Sequence, residues 1–527
     1  MTEIISLNLA LFLLSFFSGL CTTGIQMTIS RLLAPFFGTG LLVWTLIIGS
    51  IMLAISLGNK IGGSWADKSN NLAKLCDILF YPSLFIAVIP LISNPLFRIA
   101  QEALKKQQPT LFISLFAFII LFAIPLTFYA MTGPFAIKLG TKKVEESGAT
   151  AGKVNAFIAA GSLIGIYIPG VFSIPLWGSR YSILFFAAIL LILTAFIKKD
   201  LIQGLVSVIV ITICINFYPG SIIESKYVIY ETESPYHYIQ VHQKKKKIGM
   251  DRVVTQLVLN EGNATHSVHF SWQPWVYGVW DFFSTLIFIA PENRNETDIL
   301  LIGMAAGTIS NQLQSKDLNI KNLEIDGVEI DPDIYKVAKK YFQLNEKYMN
   351  VHIMDGRIFA LKTKKKYDFI FCDAYKQPYI PFHLTTREYF KLLKNRLKPG
   401  GIIAINVGST REENKVVKMI YNTLLSTFPY LCRIKIDHGG KPFQNYLVIA
   451  SDFEISRKNF ANLPHSIFAW HKSKIQNNFA RIDRDASTGI LTDDKAPVEL
   501  LTEYTIFKVV ADIVKHKLGL LSSSPKK

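Results

Sequence analysis

Acidic residues stand at the ends of several apolar, strand-like segments in the second half of the chain. Glu329 and Asp331 follow one segment, Asp355 follows another, and Asp373 follows a third. Carboxylates in such places can accept hydrogen bonds from hydroxyl and amino groups or take a proton from a reacting group. A single acidic residue there is more often the cap of a helix than a ligand. The repetition of an acidic residue at the ends of successive segments predicts one shared binding site.

A glycine-containing turn precedes these acids. The sequence Gly303-Met-Ala-Ala-Gly307 follows the short apolar segment 299–302. Glycines among small residues let the backbone approach a ligand closely. An acid roughly 20–25 positions after such a turn fits an acceptor for ribose hydroxyls, although the full GxGxxG fingerprint of dinucleotide sites is missing. These features predict an S-adenosylmethionine-type nucleoside site, with Asp373 beside the reacting group. The predicted nucleoside-binding residues are Gly303, Gly307, Glu329, Asp331, Asp355 and Gly356.

The elements that must position these residues alternate between strands and helices. Helices are predicted over residues 335–342 and 387–397, and strands over 299–302, 322–329, 351–354, 367–372 and 401–406. Such alternation predicts a doubly wound α/β domain with a parallel sheet, which binds ligands beyond the carboxyl ends of its strands. Upstream, residues 227–259 cluster β-forming residues around turns, which predicts a small antiparallel sheet.

The first half of the chain has a different composition. Of 527 residues, 50% are hydrophobic and only 18% are charged, and seven apolar runs lie before residue 220. A helix needs roughly 17–25 apolar residues to cross a bilayer, and the runs carry no charge in their interiors. We therefore predict a membrane domain of six to seven spans over 1–220, a β-subdomain over 224–290 and a nucleoside-binding domain over 291–520. The runs are 7–25, 41–57, 78–96, 111–130, 154–177, 183–197 and 201–217.

Several stretches resemble the spermidine synthase family, the polyamine aminopropyltransferases. They are Glu233-Ser-Pro-Tyr-His-Tyr-Ile-Gln-Val241, Leu259-Asn-Glu-Gly-Asn-Ala-Thr-His-Ser267, the Gly303 turn, Val328-Glu-Ile-Asp-Pro332, Asp373-Ala-Tyr-Lys-Gln-Pro-Tyr-Ile-Pro-Phe-His-Leu-Thr385 and Leu491-Thr-Asp-Asp-Lys-Ala-Pro-Val-Glu499. With the stretch Gly62-Gly-Ser-Trp-Ala-Asp-Lys68, nearly the whole chain resembles bacterial membrane-fused members of that family.

The resemblance implies a Rossmann-like methyltransferase/spermidine-synthase fold with a small N-terminal β-sheet. It also implies decarboxylated S-adenosylmethionine as donor and an amine or polyamine as acceptor, without a metal. Asp373 matches the catalytic base, and Tyr375 in the same motif is the second predicted catalytic residue. We further predict substrate contacts from His237, His266, Asp281 and Tyr379. The expected protein is an integral protein of the bacterial inner membrane, in contact with the lipid bilayer, and a homodimer is its candidate assembly.

Three positions depart from the family pattern. The turn carries Ala306 where an acid would receive the donor's ammonium, Lys376 replaces a second acid after Asp373, and His237 replaces a glutamine. A site with fewer carboxylates suits a polycationic acceptor poorly, so the sequence leaves the identity of the acceptor open. One alternative is transfer of a methyl or aminocarboxypropyl group from ordinary S-adenosylmethionine. Another is a carrier or sensor whose second half binds a nucleoside or polyamine without chemistry.

Positive charge bears on partners and on sidedness. The formal net charge of +17 is scattered along the chain, which argues against nucleic acid as a partner. Positive-inside counting places the N-terminus in the cytoplasm, and seven spans would then place the second half outside. A cytosolic donor requires the opposite, so we predict a cytoplasmic catalytic half, with either one short re-entrant or interfacial run or an outward N-terminus. The nine lysines on one side are Lys60, Lys68, Lys74, Lys138, Lys142, Lys143, Lys153, Lys198 and Lys199, and the five cations on the other are Arg31, Arg98, Lys105, Lys106 and Arg180.

Overall fold

The computed structural model describes residues 7–37, 41–69, 71–106, 110–218, 221–248, 250–260, 264–289, 296–374, 380–409, 414–436 and 444–502. Its first half is helical. The helices are α1 (Leu7–Phe37), α2 (Leu41–Lys68), α3 (Leu72–Ile92), α4 (Asn94–Lys106), α5 (Thr110–Ala130), α6 (Thr132–Gly140), α7 (Ser147–Ile168), α8 (Ile174–Lys198) and α9 (Leu201–Phe217).

Five helical segments in the described residues are long and apolar enough to cross a membrane by length and composition, the longest being Val144–Lys198 with 55 residues. At 1.5 Å per residue this segment would extend about 80 Å, more than twice a hydrocarbon core of about 30 Å. It is broken at Gly178, where φ is 80° and ψ is 172°. The break separates two lengths of helix near residue 178, as the runs 154–177 and 183–197 predicted.

Glycines on α7 allow an intimate parallel packing against α1. A Cβ atom added to Gly161 would collide with the carbonyl oxygen of Phe16, and one added to Gly165 would collide with that of Leu20. Small residues four positions apart are the usual means by which two helices approach backbone to backbone in apolar surroundings. Because both contacts advance in the same direction along the two helices, α1 and α7 run parallel.

Other contacts fix the direction of the remaining long helices. Ser18 of α1 donates to the carbonyl oxygen of Tyr129 at 2.9 Å, while the rings of Phe37 and Phe118 lie 6.2 Å apart, so α1 and α5 are antiparallel. Gln203, near the start of α9, donates to Asp77 near the start of α3 at 2.7 Å.

The ends of α8 and α9 complete this alternation. Lys198, at the end of α8, also bonds Asp77 at 2.7 Å, and Cys214, near the end of α9, donates to the carbonyl of Ala87 at 3.3 Å. Helices α3 and α9 are therefore parallel, and α8 is opposed to them. The start of α1 and the end of α9 therefore lie at opposite ends of the helical bundle.

The second half begins with a four-stranded antiparallel sheet in the order β1-β2-β3-β4. Its strands are β1 (Val228–Glu233), β2 (Tyr238–Ile248), β3 (Met250–Leu259) and β4 (Ala264–Phe270). Alternating Ile239, Val241, Leu257 and Leu259 form its buried face together with residues of a later helix. Period-two alternation of this kind is what covers one face of an antiparallel sheet.

A larger α/β unit follows. Its strands are β5 (Thr297–Ile302), β6 (Leu323–Glu329), β7 (Met349–Ile353), β8 (Tyr367–Cys372), β9 (Leu397–Ser409), β10 (Tyr430–Ile436), β11 (Gln444–Ser451) and β12 (Phe479–Arg481). Its helices are α10 (Val279–Thr285), α11 (Thr308–Leu313), α12 (Pro332–Tyr341), α13 (Gly356–Lys362), α14 (Arg387–Lys394), α15 (Lys415–Leu425) and α16 (His465–Asn478).

These strands form one sheet in the order β12-β10-β11-β9-β8-β5-β6-β7. Strands β5 to β9 pair in parallel, and β10 to β12 extend the β9 edge in antiparallel fashion. The prediction of a doubly wound α/β fold is confirmed. Every residue of β5 and β8 is buried, because apolar helices cover both faces of the sheet at its centre. The chain leaves β5 toward β6 on one side and returns to β8 on the other, and such switch points are where these folds bind ligands.

Candidate active site

The glycine turn after β5 lies directly against the end of β8. Gly303 has a φ of +82°, and a Cβ atom there would overlap the backbone of Ala374. The backbone N–H of Asp373 donates to the carbonyl oxygen of Ile302 at 2.9 Å. Gly307, with a φ of +87°, ends the turn. The left-handed backbone conformation and the close approach of Ala374 explain why position 303 holds a glycine.

Glu329 sits at the carboxyl end of β6 beneath this turn. Its side chain accepts hydrogen bonds from the backbone N–H of Ala305 at 3.0 Å and of Asp331 at 3.1 Å. Burial raises the pKa of Glu329, while those two bonds act in the opposite direction. A carboxylate has about four lone-pair positions, so each oxygen can still accept from a further donor such as a ribose hydroxyl.

Asp331 lies next to Glu329 and supports the surrounding structure. It is fully buried and caps α12 by accepting from the backbone N–H of Asp333 at 3.0 Å. Its other oxygen accepts from Ser234 at 2.5 Å and contacts His237 Nδ1 at 2.9 Å. Burial alone would raise the pKa of Asp331, but the bonds from His237 and Ser234 outweigh it and lower the pKa. This cap and support role differs from the nucleoside contact that the sequence suggested, and any substrate contact of His237 would come from Nε2.

Asp355 also acts as a helix cap. Its Oδ1 accepts from the backbone N–H groups of Arg357 at 2.8 Å and Ile358 at 3.0 Å, which starts α13. Its Oδ2 contacts His383 Nε2 at 2.9 Å, and this bond is the main reason that the pKa of Asp355 is lowered. Gly356 is packed against the side chain of Ile302, where a Cβ atom would collide. The capped carboxylate therefore lies beside β5, close to the glycine turn.

A second layer holds His383 in place. Arg357 donates to the carbonyl oxygen of His383 at 3.0 Å and pairs with Asp493 through bonds of 2.7 and 2.5 Å. Asp493 also accepts from Thr386 at 2.7 Å. The stretch around Asp493 thus reaches the candidate site through Arg357 and fixes the loop beside Asp355.

The surroundings of Asp373 shift the pKa of its carboxyl group toward neutral pH. Its two carboxylate oxygens accept separately, from Asn406 Nδ2 at 2.8 Å and from Trp280 Nε1 at 3.1 Å. Only part of the residue reaches solvent, and burial raises the pKa of its carboxyl group to about 7. A group with that pKa is about half ionised near neutral pH, where general bases are most effective.

Asn406 is a site residue that the sequence did not reveal. Asn445 on β11 donates to its amide oxygen at 2.8 Å, which turns the amide nitrogen of Asn406 toward Asp373. The available signal was a polar amide at the end of the otherwise apolar predicted strand 401–406, next to the strand that carries Asp373. Its partner could not be guessed, because β11 was not predicted and pairs with β9 in antiparallel fashion.

The remaining predicted site residues are placed as follows. Tyr375, Lys376 and Tyr379 lie outside the described residues. Asp281 is fully buried and accepts from Gln312 at 2.6 Å and the backbone of Tyr277 at 2.8 Å, so it belongs to the protein interior next to Trp280. Among the described residues, no group of three His, Cys, Asp or Glu side chains could hold a metal ion.

The wall that faces the glycine turn comes from β4. His266 lies on this strand, next to Ser267, whose hydroxyl accepts from the backbone N–H of Ala306 at 3.0 Å. Ala306 itself is buried, with 1% of its surface exposed, and brings no charge to the turn. The structure thus brings together Gly303, Glu329, Asp355 and Asp373 at one edge of the sheet, as predicted.

The fold is a doubly wound α/β domain with carboxylates at the carboxyl edge of its sheet, an arrangement found in ligand-binding α/β proteins. Residues 288–436 match the spermine/spermidine synthase domain. The chain is 26% identical over 334 residues to a probable polyamine aminopropyl transferase of Bifidobacterium longum, covering 60% of this chain and 72% of that one. It is 27% identical over 217 residues to a polyamine aminopropyltransferase of Vibrio vulnificus, covering 40% and 71%.

Among solved structures, a probable spermidine synthase from Corynebacterium glutamicum aligns over 50% of this chain and 96% of its own, with a TM-score of 0.41 and 16% identity. The C-terminal part of the chain contains a spermidine synthase domain, so the predicted resemblance to that family is confirmed. The predicted transferase class is likewise confirmed by these two relatives, whose names are those of polyamine aminopropyltransferases.

Proposed function

We propose that this protein is a membrane-bound aminopropyltransferase that uses decarboxylated S-adenosylmethionine as donor and an amine as acceptor. The observation that carries the proposal is Asp373, a carboxyl group with a pKa of about 7 beside a glycine turn and the buried Glu329. In this proposal Glu329 accepts from the ribose hydroxyls, and the Asp355 edge lies beside the adenine. No metal takes part.

The reaction requires one carbon–nitrogen bond to form as one carbon–sulfur bond breaks. The amine lone pair attacks the methylene carbon next to the sulfonium, the carbon–sulfur bonding pair returns to sulfur, and methylthioadenosine leaves as a neutral thioether. The attacking amine must lose a proton, because an ammonium has no free lone pair. Asp373 takes that proton, while Asn406 and Trp280 hold its carboxylate in position.

Product analysis tests the proposal directly. Purified full-length protein is incubated with decarboxylated or ordinary S-adenosylmethionine and a set of diamines and polyamines, and methylthioadenosine is measured. We expect methylthioadenosine and an aminopropylated amine from the decarboxylated donor. The absence of any nucleoside product with every acceptor would contradict an enzymatic role and favour a binding module.

Ala306 supports a second candidate, transfer from ordinary S-adenosylmethionine. The turn offers an uncharged buried side chain where an acid would repel the donor's carboxylate, so both donors remain compatible with it. Transfer of an aminocarboxypropyl group would also release methylthioadenosine but would add a carboxylate to the amine. Methyl transfer would instead release S-adenosylhomocysteine. Comparing the two donors therefore separates the candidates by the mass of the products.

The acidity of Asp373 predicts a pH profile. Since the base must be ionised, kcat/KM is expected to rise with pH through about 7. The bond from Asn406 lowers the pKa of Asp373, so Asn406→Ala should move the inflection to higher pH. Asn350→Ala, at an exposed position on β7, is the control that should leave the profile unchanged. An unchanged inflection in Asn406→Ala would exclude Asp373 as the titrating base.

We also propose that residues 1–220 form the membrane half and that the catalytic half, residues 224–520, faces the cytoplasm, which supplies S-adenosyl nucleosides. Because α1 begins and α9 ends at opposite ends of the bundle, this orientation places the N-terminus outside. The nine lysines at the N-terminal end oppose it by the positive-inside rule. Donor chemistry and charge distribution therefore make opposite predictions, and labelling decides between them.

A pair of single cysteines provides that test, since all five native cysteines are buried. Ser147→Cys lies at the start of α7, and Ser487→Cys lies in the catalytic half; both positions are exposed. In cells with an intact inner membrane, an impermeant maleimide should label Ser147→Cys, and Ser487→Cys only after permeabilisation. The reverse labelling pattern would place the catalytic half outside the cytoplasm, which supplies its proposed donor.

A further inference from the structure

The segment between β1 and β2 is held by the helical half of the protein. Arg31, near the end of α1, donates through Nη2 to the carbonyl oxygen of Ser234 at 2.8 Å and to that of Pro235. Its Nη1 lies 3.5 Å from the carbonyl oxygen of Tyr236. One guanidinium thus engages three successive carbonyl groups, an arrangement that the rigid fork of arginine allows and lysine does not.

A second contact holds the same segment from the other side. Glu233, the last residue of β1, accepts from the backbone N–H of Ser179 at 2.8 Å and also from the Ser179 hydroxyl. Ser179 is the first residue after the helix break at Gly178. The break therefore frees a backbone donor at the end of the bundle, and the carboxylate of Glu233 uses it.

The held segment is also the one that supports the nucleoside site. Ser234 and His237 both contact Asp331, and the backbone N–H of Asp331 donates to Glu329 at 3.1 Å. A continuous series of hydrogen bonds thus joins α1 of the helical half to the carboxylate that is proposed to bind ribose. All its members are side chains or backbone groups of the described residues.

We propose that Arg31 is a positioning residue of the nucleoside site: by fixing the Ser234–His237 segment, the membrane half sets the position of Asp331 and hence of Glu329. This inference rests on the proposed function of Glu329. It explains a physical benefit of fusing the two halves, since the site is completed by a contact that an isolated α/β domain would lack.

The test compares Arg31→Gln with Arg98→Gln in the full-length protein. Arg98 is a matched control, because it pairs at 3.4 Å with the exposed Glu224 at the same end of the bundle but contacts none of the site residues described above. We expect Arg31→Gln to weaken methylthioadenosine binding about tenfold, and Arg98→Gln to leave it unchanged. Equal affinity in Arg31→Gln and wild type, or an equal loss in both variants, would overturn the proposal.

Amide hydrogen exchange gives a readout without any ligand. The backbone N–H of Asp333 bonds to Asp331, so Arg31→Gln should accelerate exchange in the first turn of α12 and at Ser234, Tyr236 and His237. Exchange in the first turn of α14 serves as the internal reference. Unchanged exchange in α12 would overturn the proposal even if wild-type protein bound no nucleoside, whereas absent binding with accelerated exchange would instead contradict the function proposed for Glu329.

Discussion

Asp373→Asn is expected to reduce the rate of group transfer by about 10²–10⁴-fold, the range that general base catalysis supplies. Asparagine can preserve an acceptor for either Asn406 or Trp280 but cannot take a proton from the attacking amine. Methylthioadenosine affinity should change by no more than about twofold, because this variant leaves the carboxylate of Glu329 in place. Single-turnover kinetics and calorimetry measure the two quantities separately.

The control for this variant is Asp452→Asn, which removes an exposed carboxylate paired with Lys394 at 2.6 Å. It should have near-wild-type rates, since exposed ion pairs contribute little. Transfer that survives in Asp373→Asn at a comparable rate would show that another group is the base. A loss of nucleoside binding together with transfer would show that Asp373 acts through the structure of the glycine turn.

Glu329→Gln is expected to weaken methylthioadenosine binding by about 10–100-fold. Both oxygens of Glu329 accept from backbone N–H groups, those of Ala305 and Asp331. The amide nitrogen of glutamine is a donor, so it must face one of these two donors and disturb the turn. A charge-assisted bond to the ribose hydroxyls is also replaced by a weaker one. Together these losses account for about 1.4–2.7 kcal/mol.

Glu324→Gln is the matched control, since Glu324 is an exposed residue of the same strand, β6. The affinity of the Glu324→Gln variant for methylthioadenosine should equal that of the wild type in the same calorimetric titration. If Glu329→Gln also binds like the wild type, the ribose is not held at the end of β6.

The sequence predicted the central strands well because residues 299–302 of β5 and 369–372 of β8 are uninterrupted apolar runs. That pattern arises only when a strand is covered on both faces. The strands β10 to β12 escaped prediction. Arg433 and Lys435 interrupt the apolar residues of β10, and β12 pairs with β10 at only three positions. Antiparallel extension of a parallel sheet leaves no local signature in the sequence.

Strand-end acids could be located but not assigned by sequence. Asp331 and Asp355 both cap helices, whereas Glu329 caps none and accepts from the glycine turn. A capping acid and a ligand-binding acid occupy the same kind of position, so only the identity of the groups that donate to them separates the two. The contact of Arg31 with Ser234 spans 203 positions, and no local pattern could have predicted it.

Titration of the purified wild-type protein with methylthioadenosine tests the central claim most directly. If Glu329 and the glycine turn form an adenosyl-nucleoside site, calorimetry should give saturable one-site binding with a Kd on the order of micromolar, or about −8 kcal/mol. S-adenosylmethionine or its decarboxylated form should compete for the same site. No heat and no competition with any of the three compounds at about millimolar concentration would contradict the account.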